Sequence, residues 1–294
     1  MLSLYAKLLR PHHWLKNFFV FAAPFFAGSW LDIDADIHLA IIFAAFCAAA
    51  SCVYVFNDII DAPADRLHPT KKRRPIARGK IGVGEASLVA VILGAIAIGG
   101  AYFVSMSAMA MVVAYLVLNL IYTFGGKSVP IADVFFIATG FGLRMLAGGP
   151  AIGIGLPPLL LATGFFFTVM LGFGKRRVEL ALLGAKAPAA RASLADCTLP
   201  LLDTLCAMFA GISFVAYMMW TINAPNFLMV FTLLPASFGF ARHLFMMHSK
   251  GHGEDLAREV FVDIPLLSAA GLFALMAGGI ALLSHPYFAT LFGI

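Results

Sequence analysis

Residues 52–79 read CVYVFNDIIDAPADRLHPTKKRRPIARG. A nearly unbroken apolar run ends in Asn57, Asp58, Asp61 and Asp65, and a loop with Lys71, Lys72, Arg73, Arg74 and Arg78 follows. In a helix, residues four apart advance by about 40°, so Asn57, Asp61 and Asp65 fall on one arc and Asp58 lies about 20° from its edge, on the same face. All four polar groups are therefore expected to face one cavity. Pro63 removes a backbone donor, which predicts a kink or an end to the helix and puts Asp65 in the loop just beyond it.

The rest of the chain explains why such a cluster needs a membrane around it. The 294 residues are 62% hydrophobic and 12% charged, about half the usual soluble share of ~25% charged residues. No soluble fold hides that much apolar surface, so the sequence predicts an all-α, polytopic membrane protein. The net charge of +5 matters less than its placement. Cys47, Cys52, Cys197 and Cys206 lie in apolar runs without metal spacing and read as small packing residues. A cleaved signal peptide is not expected, because Pro24 interrupts the first apolar run.

A helix needs about 20 apolar residues to cross the hydrocarbon. Nine spans are expected, near 14–31, 37–60, 82–104, 107–124, 131–152, 156–174, 198–221, 226–247 and 262–284. If the N-terminus is cytoplasmic, the inward loops near 61–81, 125–130, 175–197 and 248–261 hold the loop lysines and arginines, and the outward loops hold none. That is the positive-inside pattern, which places the N-terminus and the polar cluster on the cytoplasmic side of the cell membrane. The longest loops are about 20 residues by this span reading, which predicts a single transmembrane domain over 1–294. Apolar faces and glycines permit a homo-oligomer, and nothing points to nucleic acid.

Clustered carboxylates repel unless a cation lies between them. One reading is ordinary ion pairing with the basic loop. The other is a hard divalent cation: four oxygen ligands without histidine or thiolate suit magnesium better than zinc. Asn57, Asp58, Asp61 and Asp65 are the expected metal ligands, with Asp58 and Asp61 expected to carry catalysis. Lys71, Lys72, Arg73 and Arg74 are then candidates for phosphate oxygens. Other candidates for phosphate are Lys16 in RPHHWLKN (10–17), Lys127 before Asp133, and Lys175 in GKRRVEL. Arg144 belongs with them: eleven residues beyond Asp133, it lies about 16 Å on if helical and on nearly the same face. An arginine at that depth costs at least ~2.5 kcal/mol and needs a partner, either an anionic substrate or a buried acid. Arg176 and Arg177 read as loop charges, Trp14 as an interface anchor, and Gly140, Gly148 and Gly149 as aids to helix packing.

NDIIDAPAD, nine expected spans and the RPHHWLKN start together resemble the UbiA superfamily of intramembrane prenyltransferases, over nearly the whole chain. Most members carry a second DxxxD motif on a later helix; GKRRVEL stands there instead. This departure, with RLHPTKKRRPIA, LRMLAGG and GEDLAR, resembles the decaprenyl-phosphate phosphoribosyltransferase branch. The resemblance implies a magnesium-dependent enzyme that takes phosphoribosyl diphosphate and a polyprenyl phosphate. It would release diphosphate and make a lipid-linked pentose precursor for cell-wall polysaccharide. The alternatives are a UbiA-type transfer of a prenyl group from prenyl diphosphate to an aromatic acceptor, and membrane transport of an anionic solute.

Overall fold

The computed structural model describes residues 2–29, 33–67, 71–249 and 260–284, and every regular element among them is helical. Eight helices are long and apolar enough to cross a membrane: Ala35–Leu67, Val83–Val104, Met106–Phe124, Ala132–Ala151, Pro158–Ala190, Leu199–Ile222, Phe227–Ser249 and Ile264–Leu283. Each matches one of the expected spans. The exception is the expected first span, 14–31. There the chain forms a 3-10 helix, Pro11–Phe21, followed by a short α2, Ala22–Ala27, with residues 30 and 31 outside the described residues. Before it, α1 (Leu2–Leu9) ends at Arg10, which adopts the left-handed conformation at φ 52°. Pro11 disfavours the α region for the residue ahead of it, so the helix cannot continue through Arg10.

Contacts group the chain into two compact units, Met1–Ala22, Asp32–Thr123 and Leu143–Gly155 in the first, and Ala23–Leu31, Phe124–Gly142 and Leu156–Ile294 in the second. In the first unit the long α3 (Ile33–Leu67) packs on α4 (Val83–Val104). The buried face of α4 is Ala86, Ala90, Ala97 and Ala101, a helical spacing of small residues that brings two backbones close. Phe46, Val20 and Leu39 fill the core beside them, with Ala108 and Val112 from α5 (Met106–Phe124). Pro63 does not end α3. The helix continues four residues beyond it, with the proline exposed in the last turns, so Asp65 is a helical residue and stays on the arc of Asn57 and Asp61.

In the second unit α7 (Pro158–Leu183) packs on α9 (Leu199–Ile222). Phe209 stacks on both Phe166 and Phe173, with ring centroids 5.8 and 5.7 Å apart. α10 (Leu233–Ser249) packs on α11 (Ile264–Leu283). Asp263 caps α11 through the Leu266 amide and receives both arms of Arg242, at 3.0 and 2.8 Å. A short α8, Ala187–Ala190, lies in the connection from α7 to α9. All four cysteines are free thiols.

α6 (Ala132–Ala151) explains one of its glycines. A Cβ at Gly148 would overlap the backbone carbonyl of Val20 in the 3-10 helix. Because the obstacle is backbone rather than a flexible side chain, Gly148→Ala is expected to destabilise the fold by about 1–3 kcal/mol or more. Thermal unfolding in detergent should show a lower Tm than for Gly142→Ala on the same helix, where a Cβ would meet only side chains at ordinary distance, and equal midpoints would mean that this close approach is not required.

Candidate active site

The acidic end of α3 is assembled by long-range pairing. Asp58 is 1% exposed and Asp65 3%. Arg10 Nη2 donates to Asp58 Oδ1 at 2.6 Å. Arg74 Nη1 lies 3.1 Å from the same oxygen and donates to Asp65 Oδ2 at 2.7 Å. Two arginines thus neutralise two buried acids. Asn57 Oδ1 accepts from the Thr123 hydroxyl at 2.6 Å. Asp61 is half-buried on the same stretch of helix.

Local structure explains why these arginines arrive. Ser51, about two turns before Asp58 on α3, accepts the Trp14 indole N–H at 3.0 Å and donates to the Leu9 carbonyl at 2.9 Å. Both flanks of Arg10 are therefore fixed to α3, and the guanidinium lies 5.0 Å over the Tyr54 ring. Trp14 serves this junction through its N–H. The basic loop is held by an apolar anchor: Pro75 and Ile76 are buried, and Ile76 joins Leu8, Val55, Ala62 and Ile81 in a core. With the loop pinned there, Arg74 turns to the acids while Lys71, Lys72 and Arg73 form an exposed 3-10 turn. Lys72 and Arg73 line an open pocket of about 560 Å³ together with Arg66, Ala77 and Arg78.

Among the described residues, no three His, Cys, Asp or Glu side chains form a ready-made metal cage. Magnesium does not require one, since it binds through one or two carboxylates and substrate phosphates. The residues present fit that mode. Asp58 Oδ2 is buried with no hydrogen-bond partner among the described residues, and an orphaned carboxylate oxygen of that kind is suited to accept a cation. Asp58, Asp61 and Asp65 supply only oxygen donors, and Asn57 would have to exchange its Thr123 contact to join them.

Arg144 is 6% exposed. Its Nε donates to Asn17 Oδ1 at 2.7 Å and its Nη2 to the Tyr115 hydroxyl at 2.9 Å, with the guanidinium 4.5 Å over the Tyr115 ring. Asn17 precedes Val20 in the 3-10 helix and follows exposed Lys16. Arg144 thus fastens that helix to α5 and α6.

In the second unit, Arg176 and Arg177 are not loop charges. Arg176, 3% exposed, donates to Asp133 Oδ2 at 2.7 Å and to Glu179 Oε2 at 3.0 Å. Ser193 donates to the same Asp133 oxygen at 3.0 Å, and Arg191 Nε to Glu179 Oε2 at 3.1 Å. Arg177 bonds Asp203 at 2.6 Å. Of the three bases in GKRRVEL, only Lys175 is exposed, and among the described residues it makes no ion pair. Lys127 is half-buried in a short 3-10 helix before α6. The GEDLAR segment lies outside the described residues.

Residues 16–262 match the UbiA prenyltransferase family. The chain belongs to that family. Within it, the chain is similar to a decaprenyl-phosphate phosphoribosyltransferase of Corynebacterium glutamicum, with 39% identity over 218 residues, covering 73% of this chain and 66% of that protein. The match thus spans just under two thirds of that relative's length. A protein of the same name from Mycolicibacterium smegmatis is 34% identical over 221 residues, 74% of this chain and 70% of its own. The backbone resembles a UbiA homolog from Archaeoglobus fulgidus bound to GPP and Mg2+, with a TM-score of 0.73 and 17% identity over 95% of this chain and 99% of that one. At that identity the likeness concerns the UbiA fold alone.

The Asp133–Arg176 pair is buried on both sides, at 2% and 4% side-chain exposure. Breaking one half of such a pair leaves an uncompensated charge and costs about 3–5 kcal/mol. Asp133→Ala is expected at the low end of that range because Glu179 still holds Arg176. A drop of several degrees in the detergent Tm checks this, and an unchanged Tm would make the pair dispensable.

Proposed function

We propose that this UbiA-family protein transfers a 5-phosphoribosyl group from phosphoribosyl diphosphate to a polyprenyl phosphate, releasing diphosphate. The observation that carries the reading is the single acidic helix end, with Asp58 and Asp65 held by Arg10 and Arg74 beside a wholly basic pocket. Where a second acidic motif would serve a prenyl diphosphate, the chain has Arg176 and Arg177 committed to structural pairs. Both substrates of the proposed reaction are anionic, and the likeness to relatives named decaprenyl-phosphate phosphoribosyltransferase supports it. The product is a lipid-linked pentose precursor suited to cell-wall polysaccharide.

The metal ligands in this reading are Asp58, Asp61 and Asp65, with Asn57 as the fourth. Magnesium, when bound, neutralises charge on the leaving diphosphate. Arg10 and Arg74 pair with the buried acids and orient them before substrate arrives. Lys71, Lys72 and Arg73 face phosphate oxygens from the exposed loop. Lys16 in the first unit, and Lys127 and Lys175 in the second, are each proposed to contact a phosphate, either the second phosphate group of the donor or the lipid phosphate; Arg144 acts by fixing Asn17 next to Lys16. The lipid phosphate oxygen forms a bond to the anomeric carbon as that carbon's bond to diphosphate breaks. This oxygen is ionised near neutral pH, so no strong general base is needed. Positioning and charge neutralisation supply the acceleration.

The site is proposed to face the cytoplasm, since the loops holding Lys71–Arg74, Lys127 and Lys175 carry the positive charge. A ninth crossing is proposed for Pro11–Ala27. Eleven residues at ~2.0 Å rise and six at ~1.5 Å give a contour of about 31 Å, close to the ~30 Å hydrocarbon thickness. The whole chain then works as one transferase domain.

Purified protein in detergent, with magnesium, labelled phosphoribosyl diphosphate and polyprenyl phosphate, is expected to give lipid-extractable label. Absence of label combined with turnover of prenyl diphosphate and an aromatic acceptor would replace this reading with prenyl transfer; flux without bond formation would replace it with transport. Asp61→Asn is expected to lower transfer by at least ~100-fold while expression and Tm hold. Near-normal turnover would remove Asp61 from the metal site.

A further inference from the structure

The basic loop faces two ways, and only one of them is explained by the acids. Arg74 turns to Asp58 and Asp65, whereas its neighbour Arg73 lines the open pocket. The same division occurs on α3, where Asp65 is buried against Arg74 and the next residue, Arg66, lines the pocket. The lining is Arg66, Lys72, Arg73, Ala77 and Arg78. It contains four cations and no acid, and among the described residues none of the four makes an ion pair. At about 560 Å³ the space is in the usual range for small-molecule sites, ~300–1,000 Å³. Four like charges around one concavity repel one another, and a multiply charged anion relieves that repulsion. Arginine forks match phosphate oxygens in geometry as well as charge.

We propose that this pocket is a phosphomonoester site, separate from the acidic end of α3 and sharing a wall with it. Consecutive Cα atoms are ~3.8 Å apart, so the pairs Asp65/Arg66 and Arg73/Arg74 place one residue in each site. A substrate with a diphosphate at one end and a monoester phosphate at the other reaches both. A prenyl diphosphate has no second phosphate and leaves the four cations unpaired. The pocket is therefore a selectivity device for the donor, an assignment that rests on the proposed phosphoribosyl transfer. The same chemistry is offered by the headgroup of the polyprenyl phosphate, and the experiment separates the two sources.

Binding of ribose 5-phosphate, and of a short-chain polyprenyl phosphate, is measured calorimetrically on the full-length protein in detergent with EDTA. The comparison is between wild type, the Arg66→Gln/Arg78→Gln pair, each single substitution, and the Arg66→Lys/Arg78→Lys pair. The glutamine pair is expected to weaken ribose 5-phosphate by about tenfold or more, with the lysine pair recovering part of the loss. In turnover, KM for phosphoribosyl diphosphate should rise about tenfold with kcat within about twofold and KM for the lipid unchanged. A rise confined to the lipid would keep the phosphate site and assign it to the acceptor. Unchanged affinity for both probes in a folded glutamine pair overturns the proposal, and the single substitutions decide it if the pair does not fold. Wild-type protein that binds ribose 5-phosphate yet makes no product would sink the proposed transfer and leave the pocket standing.

Discussion

A carboxylate with 1% of its surface exposed must be met by positive charge, and at Asp58 that charge comes from two remote places. Arg10 is 48 residues away in sequence and Arg74 is 16 residues beyond, so one acid draws the α1 junction and the basic loop to the same helix end. Taking either guanidinium away leaves a buried ion short of a partner, which costs far more than an exposed pair returns. The left-handed turn at Arg10, the break imposed by Pro11 and the Pro75–Ile76 anchor are all arrangements that let those two side chains arrive. The 3-10 helix that follows Arg10 is held again at its middle by Arg144 on Asn17.

The second unit uses the same device for a different purpose. Asp133 receives Arg176 and Ser193, and Glu179 ties Arg176 to Arg191. This network fastens the α7–α9 connection to the start of α6. It also accounts for the chemistry missing from the GKRRVEL stretch. Its two arginines are already satisfied by protein acids, and Glu179 is satisfied by them in turn, so none of these groups forms a second acidic metal site. A donor with one diphosphate and a separate phosphate suits a chain with one acidic end; a substrate that needed two acidic ends would not.

Hydropathy alone located eight crossings, because a membrane helix declares itself in about twenty consecutive residues. Over 14–31 it expected one span, and the chain there forms a 3-10 helix followed by the short α2; a 3-10 helix covers more distance with fewer residues and leaves no α-helical periodicity to read. The arc from Asn57 to Asp65 was legible from spacing. The expected break at Pro63 was not realised, since a proline near the end of a helix forfeits one hydrogen bond without ending it. What the sequence could not declare was partnership. Arg10, Arg73 and Arg74 look alike in a one-dimensional string, and only the buried Pro75–Ile76 anchor decides which of the loop arginines faces inward. The Asp133–Arg176 pair spans 43 residues and left no local signal beyond two charges in apolar surroundings, which was the one available hint.

Arginine is an incomplete answer to a carboxylate as deeply buried as Asp58. Both guanidinium contacts converge on Oδ1, and Oδ2 stays buried without a partner. The two guanidinium contacts leave the far oxygen open, and in the proposed reading that oxygen would accept a divalent cation, with Asp61 and Asp65 as further oxygen donors. In that reading the orphaned oxygen would be an acceptor kept for a metal–diphosphate pair rather than a packing defect. Arg10 and Arg74, which hold these acids, would in that reading also stand beside the phosphate oxygens that such a cation brings.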